Sequence, residues 1–401
     1  MNVKEFCEKL NIEYAEPLDE YFERGKRLYK ERGDFAFDKE RLTGLNKKYN
    51  IFRKWFSEVL LAADEVAADE ALSIFVYTLA EIYKDKKTPN YYNGVKSIRI
   101  LNIPDRNRRD TDIAPLFAAL YFLEDMIAEL EGRGLPHEVI SDTLAGMDSE
   151  MDDYYAIYGR CGMRTFAGWY RLFVACELLT IGRLQFQIYK FSSNVKLYKK
   201  GNDLRVLADG LTVHKRGMIL GSLGQQNEDE GYIAEISEDG EAVVGYMANG
   251  LGEIDPEPVR LCGYSEVLCR GDDVLSVHIR AGEPLAEEIC EESYRKANEI
   301  FSKCYPEIKF KAFFCASWMM NKRLKLLLGR ETNVTRFADK YVTYPLKSSG
   351  QGVFGFVFNV ESSSTISELP ENNSIQRAIK KYIIEGNHFY EYGGIRLIEE
   401  D

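Results

Sequence analysis

The chain has 401 residues, more than one ordinary hydrophobic core accommodates, and this length favours two domains. Its 45% hydrophobic and 29% charged residues exclude a disordered or fibrous protein, and its net charge of −12 argues against binding to nucleic acid or an anionic membrane. The N-terminal stretch lacks the apolar core of a signal peptide, and the most apolar segment, 114–123, is too short to span a bilayer. Eight cysteines scattered through apolar segments indicate reduced core thiols, so we expect a cytoplasmic protein.

The first 165 residues have apolar side chains at the three- and four-residue spacing that is typical of helices. A short β-prone patch at 95–105 interrupts this pattern, and the segment 169–180 continues it. We therefore expect a mostly helical N-terminal domain over 1–165, with the change of character falling between 165 and 182.

From Gly182 onward the pattern changes to β-prone runs separated by turns and helices. The segment 192–270 is predicted to be β-rich, with hairpin turns at Asp209-Gly210 and Asp239-Gly240. The remaining segments predict helices at 321–341 and 374–386, and strands at 352–360 and 389–398. The expected fold class is α+β, with a helix-rich N-terminal domain and a mixed-sheet C-terminal domain over 166–401.

The most informative stretch runs from 274 to 320. It predicts a buried strand at 274–279, a turn that begins Arg280-Ala281-Gly282, an amphipathic helix at 287–304 and a second strand at 309–320. A helix that follows a small-residue turn presents free backbone N–H groups, which with the helix dipole suit a phosphate or pyrophosphate. This turn is therefore the first candidate for a cofactor site.

Several familiar motifs are missing. The four histidines lie far from one another and from any cysteine pair at ligand spacing, so we predict no metal site. No G-x-S-x-G, Walker A or G-x-G-x-x-G sequence occurs, which disfavours α/β-hydrolase, P-loop and Rossmann chemistry.

The segments GRLQF, GDDVLSVHIRAGEPL, CASWMM, TNVTRF and NSIQRAIKKYIIEG resemble, in this order, those of a bacterial two-domain acyltransferase-like family. Its members pair a helical N-acyltransferase N-terminal domain with a GNAT-like C-terminal domain. The resemblance implies acyl-CoA-dependent N-acyltransfer to a small amine, with acetyl-CoA or another acyl-CoA as cofactor. It implies neither a nucleic-acid nor a membrane partner.

A GNAT-like C-terminal domain also implies where each role would lie. The thioester cofactor would lie between two splayed parallel strands, 274–279 and 310–318, with its pyrophosphate on the following turn. The residues expected to hold it are Ile279, Arg280, Ala281 and Gly282. His278 is the expected base because it ends the first strand, although a core histidine is an equally acceptable interpretation. Tyr344 is the expected proton donor, with Tyr341 as the neighbouring candidate.

Other interpretations stay open. Glu283 and the incomplete pyrophosphate signature favour a non-catalytic GNAT-shaped binding or regulatory protein that has lost cofactor binding. An acyl-protein donor would need a local basic patch, for which Lys309, Lys311, Lys322, Arg323 and Lys325 are the candidates. Cys315 is interpreted as a core thiol. Arg183 is expected to form an ion pair with a carboxylate of the first domain, or to reach a substrate carboxylate.

Overall fold

The three-dimensional structure is a computed structural model and describes residues 2–12, 18–84, 112–158, 162, 167–280, 282–360 and 365–398. By residue contacts the chain divides into two compact units, 1–181 and 182–401. The predicted boundary after residue 165 stays a prediction, and the β-prone patch at 95–105 lies outside the described residues. Among the residues described, no helix is both long and apolar enough to cross a membrane.

The first unit is helical, as the apolar spacing predicts. Its described elements are α1 (Val3–Leu10), α2 (Leu18–Arg32), α3 (Lys39–Tyr49), α4 (Phe56–Ala68), α5 (Glu70–Lys84), α6 (Ala114–Leu120), α7 (Leu123–Gly132), α8 (His137–Leu144), α9 (Gly146–Tyr158), α10 (Ala167–Val174) and strand β1 (Leu178–Ile181). The predicted helical segment 169–180 therefore ends earlier than expected, and its last residues form β1.

Helix α5 is the centre of this unit. Every residue from Ala71 to Tyr83 is buried, and α1, α2, α4, α6 and α10 all pack against the helix. A helix that is apolar on all sides is stable only when other elements surround it completely, which explains this arrangement. Gly25 of α2 allows a close approach to α5, since a Cβ atom at this position would lie 2.5 to 2.7 Å from atoms of Thr78.

Gly25→Ala is expected to lower the free energy of unfolding by about 2 kcal/mol, because α2 must move away from the Thr78 backbone. Gly44→Ala in α3 is the matched control. A Cβ atom there meets nothing within 4 Å, so we expect a gain of roughly 0.5–1 kcal/mol from helix propensity. Urea unfolding measures the change in free energy of unfolding for each variant. Changes of the same sign in both variants would contradict this account of the α2–α5 contact.

The second unit contains the remaining described strands and further helices. Its described elements are β2 (Leu184–Lys190), β3 (Val195–Lys200), β4 (Asp203–Ala208), β5 (Leu211–His214), β6 (Gly231–Ala234), β7 (Ser237–Asp239), β8 (Ala242–Gly245), β9 (Val259–Cys262), β10 (Ser265–Leu268), β11 (Asp273–Ile279), α11 (Glu287–Cys304), β12 (Ala312–Ser317), α12 (Arg323–Leu328), α13 (Asn333–Asp339), β13 (Val342–Pro345), α14 (Ser374–Ile384) and β14 (Tyr392–Leu397).

Five of these strands form one mixed sheet in the order β2-β11-β12-β14-β13. The pair β11–β12 is parallel, and the other neighbours in this sequence are antiparallel. Side chains alternate between the two faces of the sheet. On one face, Phe186 and Phe313 pack against Tyr294 and Phe301 of α11, whose buried residues follow the spacing of an amphipathic helix.

The other face is covered over part of its area by the small sheet β10-β3-β4. Val274, Phe314, Tyr344 and Ile395 from the mixed sheet join residues of the small sheet in one buried cluster. The short strands β5 to β9 form two further small sheets within the segment 192–270. The fold class is α+β, as predicted.

Three local predictions fail. Asp239-Gly240 does connect the antiparallel strands β7 and β8, but Asp209-Gly210 joins strands of different sheets, because β4 pairs back with β3. The predicted helix 321–341 is broken at Gly329, whose φ of +61° ends α12, before Thr332 caps α13.

The predicted strand 352–360 is instead helical and contains a π-helical turn at Phe354–Phe358. Val353, Val357 and Phe358 are buried together in a cluster that also holds residues of α12 and α14. Their spacing of four and five residues places them on one side of a helix, and burial there determines the conformation.

Candidate functional site

Strands β11 and β12 separate partway along their length. Their register runs from Val274–Ala312 to Ser276–Phe314, although β11 continues to Ile279 and β12 to Ser317. On their outer sides both strands stay paired, β11 with β2 and β12 with β14. Among the described strands, β11 and β12 are therefore not paired with each other beyond Ser276 and Phe314, as the predicted splay requires.

The sheet face opposite α11 is polar beside this gap. Alternation places Gln185 and Gln187 of β2 on the same face as Ser276 and His278 of β11. Ala316 and Gly393 continue that face on β12 and β14, and Ala316 is exposed. We name this surface the polar face; its residues are Gln185, Gln187, Ser276, His278, Ala316 and Gly393.

The turn that follows β11 is held by Arg183, which precedes β2. Its Nε and Nη2 atoms donate hydrogen bonds to the carbonyl oxygens of Glu283 and Arg280, at 2.9 and 2.8 Å. The Arg183 backbone N–H in turn donates to Ser293 Oγ of α11 at 2.9 Å. In place of the expected carboxylate partner, the structure shows that Arg183 fastens the turn to the sheet and the helix.

At position 282 of this turn, any amino acid other than glycine would strain the backbone. The φ of Gly282 is +106°, outside the range that L-residues ordinarily adopt, and a Cβ atom would meet nothing within 4 Å. Ile279 is the last residue of β11 and pairs with Leu184, and Ala281 lies outside the described residues. The described part of the turn is thus exposed and leaves room for a ligand.

Helix α11 begins at Glu287, five residues after Gly282, which is the last residue of the segment Arg280–Gly282 that was expected to bind an anion. Its N-cap residue Ala286 makes no side-chain cap, so the first N–H groups are not satisfied by a capping side chain. Glu287 and Glu288 lie in its first turn, and Glu287 pairs with Lys340 at 2.5 Å. Together with the exposed Glu283, these carboxylates oppose the favourable effect of the helix N-terminus on an anion.

His278 lies at the gap-side end of β11. Its Nε2 is 3.0 Å from Gln187 Oε1 on the polar face, and the side chain is half-buried. Loss of hydration lowers the pKa of His278 from 6.5 to about 4, so the imidazole is neutral near pH 7. A neutral imidazole beside the gap is in the protonation state that a base or hydrogen-bond acceptor needs.

This pKa predicts a change of stability with pH. The unfolded chain binds a proton on His278 with the ordinary pKa of 6.5, whereas the folded chain does so only near 4. Lowering the pH from 6.5 to 4 therefore favours the unfolded chain, by up to about 3 kcal/mol. His278→Gln removes this titration. As the pH falls from 6.5 to 4, the wild type should therefore lose more free energy of unfolding than the variant does. Urea unfolding at several pH values measures it, and parallel curves would contradict the prediction.

Tyr344 lies on β13, on the same sheet face as His278 but with β12 and β14 between their strands. Its ring covers Gly393, and its hydroxyl donates to Ser193 Oγ at 2.7 Å. Burial raises the pKa of Tyr344 above its ordinary value. Three strand spacings correspond to roughly 14 Å between the two backbones, so the structure does not bring the two predicted catalytic side chains into contact.

The remaining candidate residues are buried in the core or paired with other residues of the fold. Cys315 is buried, and loss of hydration raises its pKa to about 12, which keeps the thiol protonated. Tyr341 shares a hydrogen bond with Tyr294 beneath the sheet. Three members of the candidate basic patch have carboxylate partners: Lys311 with Asp272, Arg323 with Glu253, and Lys325 with Glu331 and Asp339. These pairs neutralise most of the positive charge that an acyl-protein donor would need.

Sequence reasoning missed the polar face and the role of Arg183. The alternation of Gln185 and Gln187 in LQFQIYK carried the first signal, because two polar residues at a period of two mark one side of a strand. No comparable signal existed for Arg183, whose partners are backbone carbonyls almost a hundred residues away. No group of three His, Cys, Asp or Glu side chains arranged to hold a metal occurs in the described ranges.

Comparisons with known proteins agree with the α+β fold. The model of the GNAT-like C-terminal domain matches residues 178–396, and that of the N-acyltransferase N-terminal domain matches residues 41–176. No curated protein matches the sequence.

Among solved structures, the chain is similar to an acyltransferase in complex with decanoyl-CoA and teicoplanin, with 17% identity, a TM-score of 0.56 and 84% of each chain covered. The same values hold for an acyltransferase in complex with CoA and 10C-teicoplanin. A complex with decanoyl-CoA has 17% identity and a TM-score of 0.54, with 84% of this chain and 83% of that chain covered. Likeness at this identity shows a shared fold. Because the family model of the GNAT-like C-terminal domain alone matches more than half of the residues, the chain belongs to the family with this domain. In the sequence it follows an N-acyltransferase N-terminal domain.

Proposed function

We propose that this protein transfers an acyl group from acyl-CoA to a small molecule that carries a primary amine. The observation that carries the proposal is the gap between β11 and β12, which leads to the exposed Gly282 turn and the start of α11. The similar acyltransferases were solved with decanoyl-CoA, CoA or octanoyl-CoA, which supports acyl-CoA as the donor.

The residues around the gap fit such a donor. Where β11 and β12 are no longer paired with each other, the backbone groups of Val277, Ile279 and 315–317 offer donors and acceptors to the amides of a pantetheine chain. We assign the pyrophosphate to the turn formed by Ile279, Arg280, Ala281 and Gly282, where Arg183 fixes the backbone. Bound acyl-CoA supplies an activated carbonyl group with a thiolate leaving group.

The overall chemistry requires two proton movements. The amine nitrogen forms a bond to the thioester carbonyl carbon, and the carbon–sulfur bond breaks. An ammonium acceptor loses two protons on becoming an amide; one ends on the CoA thiol and one is released to solvent. His278, neutral and beside the gap, is the proposed base for the proton that is released to solvent, and the other ammonium proton restores the hydroxyl of the group that protonates sulfur. Tyr344 stays the proposed proton donor to sulfur, a role in which its hydroxyl would leave Ser193.

One observation favours the second candidate function, a GNAT-shaped binding or regulatory protein without activity. Glu283, Glu287 and Glu288 place negative charge around the turn where a pyrophosphate would bind. Against this, no side chain of a described residue fills the space above Gly282, and the two strands stay apart.

Calorimetric titration with acetyl-CoA, octanoyl-CoA and decanoyl-CoA tests the donor. The same protein is then assayed for amine-dependent release of free CoA thiol. Saturable binding with amine-dependent release supports the enzyme. Binding without release for any primary amine supports the non-catalytic protein, and no binding at millimolar acyl-CoA overturns the proposal.

A further inference from the structure

His278 is hydrogen-bonded to the neighbouring strand that lies away from the gap. Its Nε2 atom is 3.0 Å from Gln187 Oε1. In the antiparallel pairing of β2 with β11, His278 is opposite Gln185 and Gln187 is opposite Ser276, so the hydrogen bond runs diagonally between the two strands. Its length is that of an ordinary N–H···O hydrogen bond. The proposed base is therefore attached to β2 through one side chain.

The Gln187 side chain is an acceptor that water does not easily replace. The residue is only 7% exposed, and the residues on either side of it in β2 are paired with β11. Buried amide groups normally have hydrogen-bond partners, and His278 is the partner of this carbonyl oxygen. Because a carbonyl oxygen only accepts, the proton in this hydrogen bond belongs to His278 Nε2.

This proton fixes the tautomer of the imidazole. Burial keeps His278 neutral near pH 7 by lowering its pKa to about 4, and none of the described side chains adds a charge effect to this shift. A neutral imidazole has one N–H group and one lone pair, on different nitrogens. With the proton on Nε2, the lone pair of His278 is on Nδ1.

The direction of the same hydrogen bond determines which nitrogen is turned towards the gap. The sheet order is β2-β11-β12, and the gap opens between β11 and β12. Nε2 is turned towards β2, the side on which β11 stays paired. The two nitrogens lie on nearly opposite sides of an imidazole ring, so Nδ1 is turned towards the side of β11 that faces the gap.

We propose that Gln187 is a positioning residue for the acyl transfer, because it holds the Nε2 proton of His278 and so makes Nδ1 the atom that takes a proton from the acceptor nitrogen. This inference rests on the proposed function. An N–H bond of the acceptor breaks and an Nδ1–H bond forms, which gives an imidazolium ion that then releases this proton to solvent. Nε2 keeps its own proton throughout. Its hydrogen bond to Gln187 becomes stronger when the ring is charged, which stabilises the imidazolium ion.

The tautomer is measured directly by long-range ¹H–¹⁵N correlation NMR of the whole protein labelled with ¹⁵N-histidine, at neutral pH and without substrates. The chain has four histidines, and His278→Gln identifies the signals of His278. We expect a ring protonated on Nε2 in the wild type. Gln187→Leu removes the acceptor and should yield a detectable fraction of the Nδ1–H form. Gln185→Leu is the matched control, since it replaces the other buried glutamine of β2 on the polar face and should keep the wild-type tautomer.

The second measurement is the rate of CoA release with octanoyl-CoA and n-butylamine. For Gln187→Leu we expect kcat to fall at least about 10-fold, while the Kd of octanoyl-CoA changes less than about 3-fold. Gln187→Glu restores an acceptor for the Nε2 proton and places a negative charge beside the ring. It should recover part of kcat and raise the pH midpoint of the His278 NMR signals by at least about one pH unit. A change in packing alone does not raise this midpoint.

The remaining outcomes separate this inference from the proposed function. The role of Gln187 is overturned by an Nδ1-protonated ring in the wild type, and equally by an unchanged tautomer or an unchanged kcat in Gln187→Leu. Equal changes of tautomer in both leucine variants also overturn it, because they indicate a general loss of structure. A wild type that has the expected tautomer but releases no CoA with any primary amine overturns the proposed function, and with it the part of His278 and Gln187 in proton transfer.

Discussion

Gly282→Trp is expected to abolish acyl-CoA binding, with an increase in Kd of at least about 100-fold, or roughly 2.7 kcal/mol. The wild-type turn leaves the space around Gly282 empty, and an indole placed there occupies the volume assigned to the pyrophosphate. Calorimetric titration with octanoyl-CoA measures the change.

Gly282→Ala is the matched control for this experiment. Because φ at this position is +106°, both substitutions impose the same backbone strain, which we expect to cost about 1–2 kcal/mol of stability. The alanine side chain meets nothing within 4 Å, so it adds no bulk that reaches the ligand. Similar melting temperatures with binding lost only in Gly282→Trp place the cofactor on the turn. Equal binding of octanoyl-CoA by both variants would contradict the assignment of the cofactor to this turn.

Arg183→Ala is expected to weaken acyl-CoA binding at least about 10-fold and to lower the free energy of unfolding by about 2 kcal/mol. The substitution deletes both guanidinium donors to the carbonyl oxygens of Arg280 and Glu283, so the turn loses its attachment to β2. Arg183→Lys should recover only part of either effect, since one ammonium does not reproduce the two fixed N–H directions of a guanidinium.

Arg396→Ala provides the control for stability in this second pair. Arg396 forms two hydrogen bonds with Glu291 and lies over the Tyr294 ring beneath the sheet, where its side chain holds α11 and not the carbonyl oxygens of the turn. Its loss should destabilise the protein to a comparable degree without a specific effect on acyl-CoA. If Arg183→Ala and Arg396→Ala change the Kd equally, the effect of Arg183 comes from general destabilisation and the turn has no special role.

The strand–turn–helix–strand unit could be predicted from the sequence because each of its parts has a clear period. The predicted helix 287–304 coincides with α11, and the predicted strands contain β12 and most of β11. The period changes from two to 3.6 and back within a short distance, and both strands are flanked by turn residues. The segment 352–360 lacked such a contrast, since a short run of Gly, Phe and Val fits a strand or a buried helix equally well.

The arrangement of the candidate site depended on contacts that no local pattern contains. The separation of β11 from β12 arises because β2 and β14 hold their outer sides, and these partners lie far apart in the chain. Tyr344 was predicted from its place in the chain order, but its hydroxyl direction is determined by Ser193, about 150 residues earlier.

The gap gives this protein two edge strands in the interior of one sheet. Exposed edges ordinarily invite another chain to add a strand, which leads to aggregation. Here each free edge faces the other across a space that closes at Ser276–Phe314, so an incoming strand cannot extend along either one. A thin chain of a few amide groups meets no such obstacle. Amide hydrogen exchange at Val277, Ile279 and 315–317 should therefore distinguish the outward N–H groups, protected in the ladders, from the inward ones, which exchange until a ligand covers them.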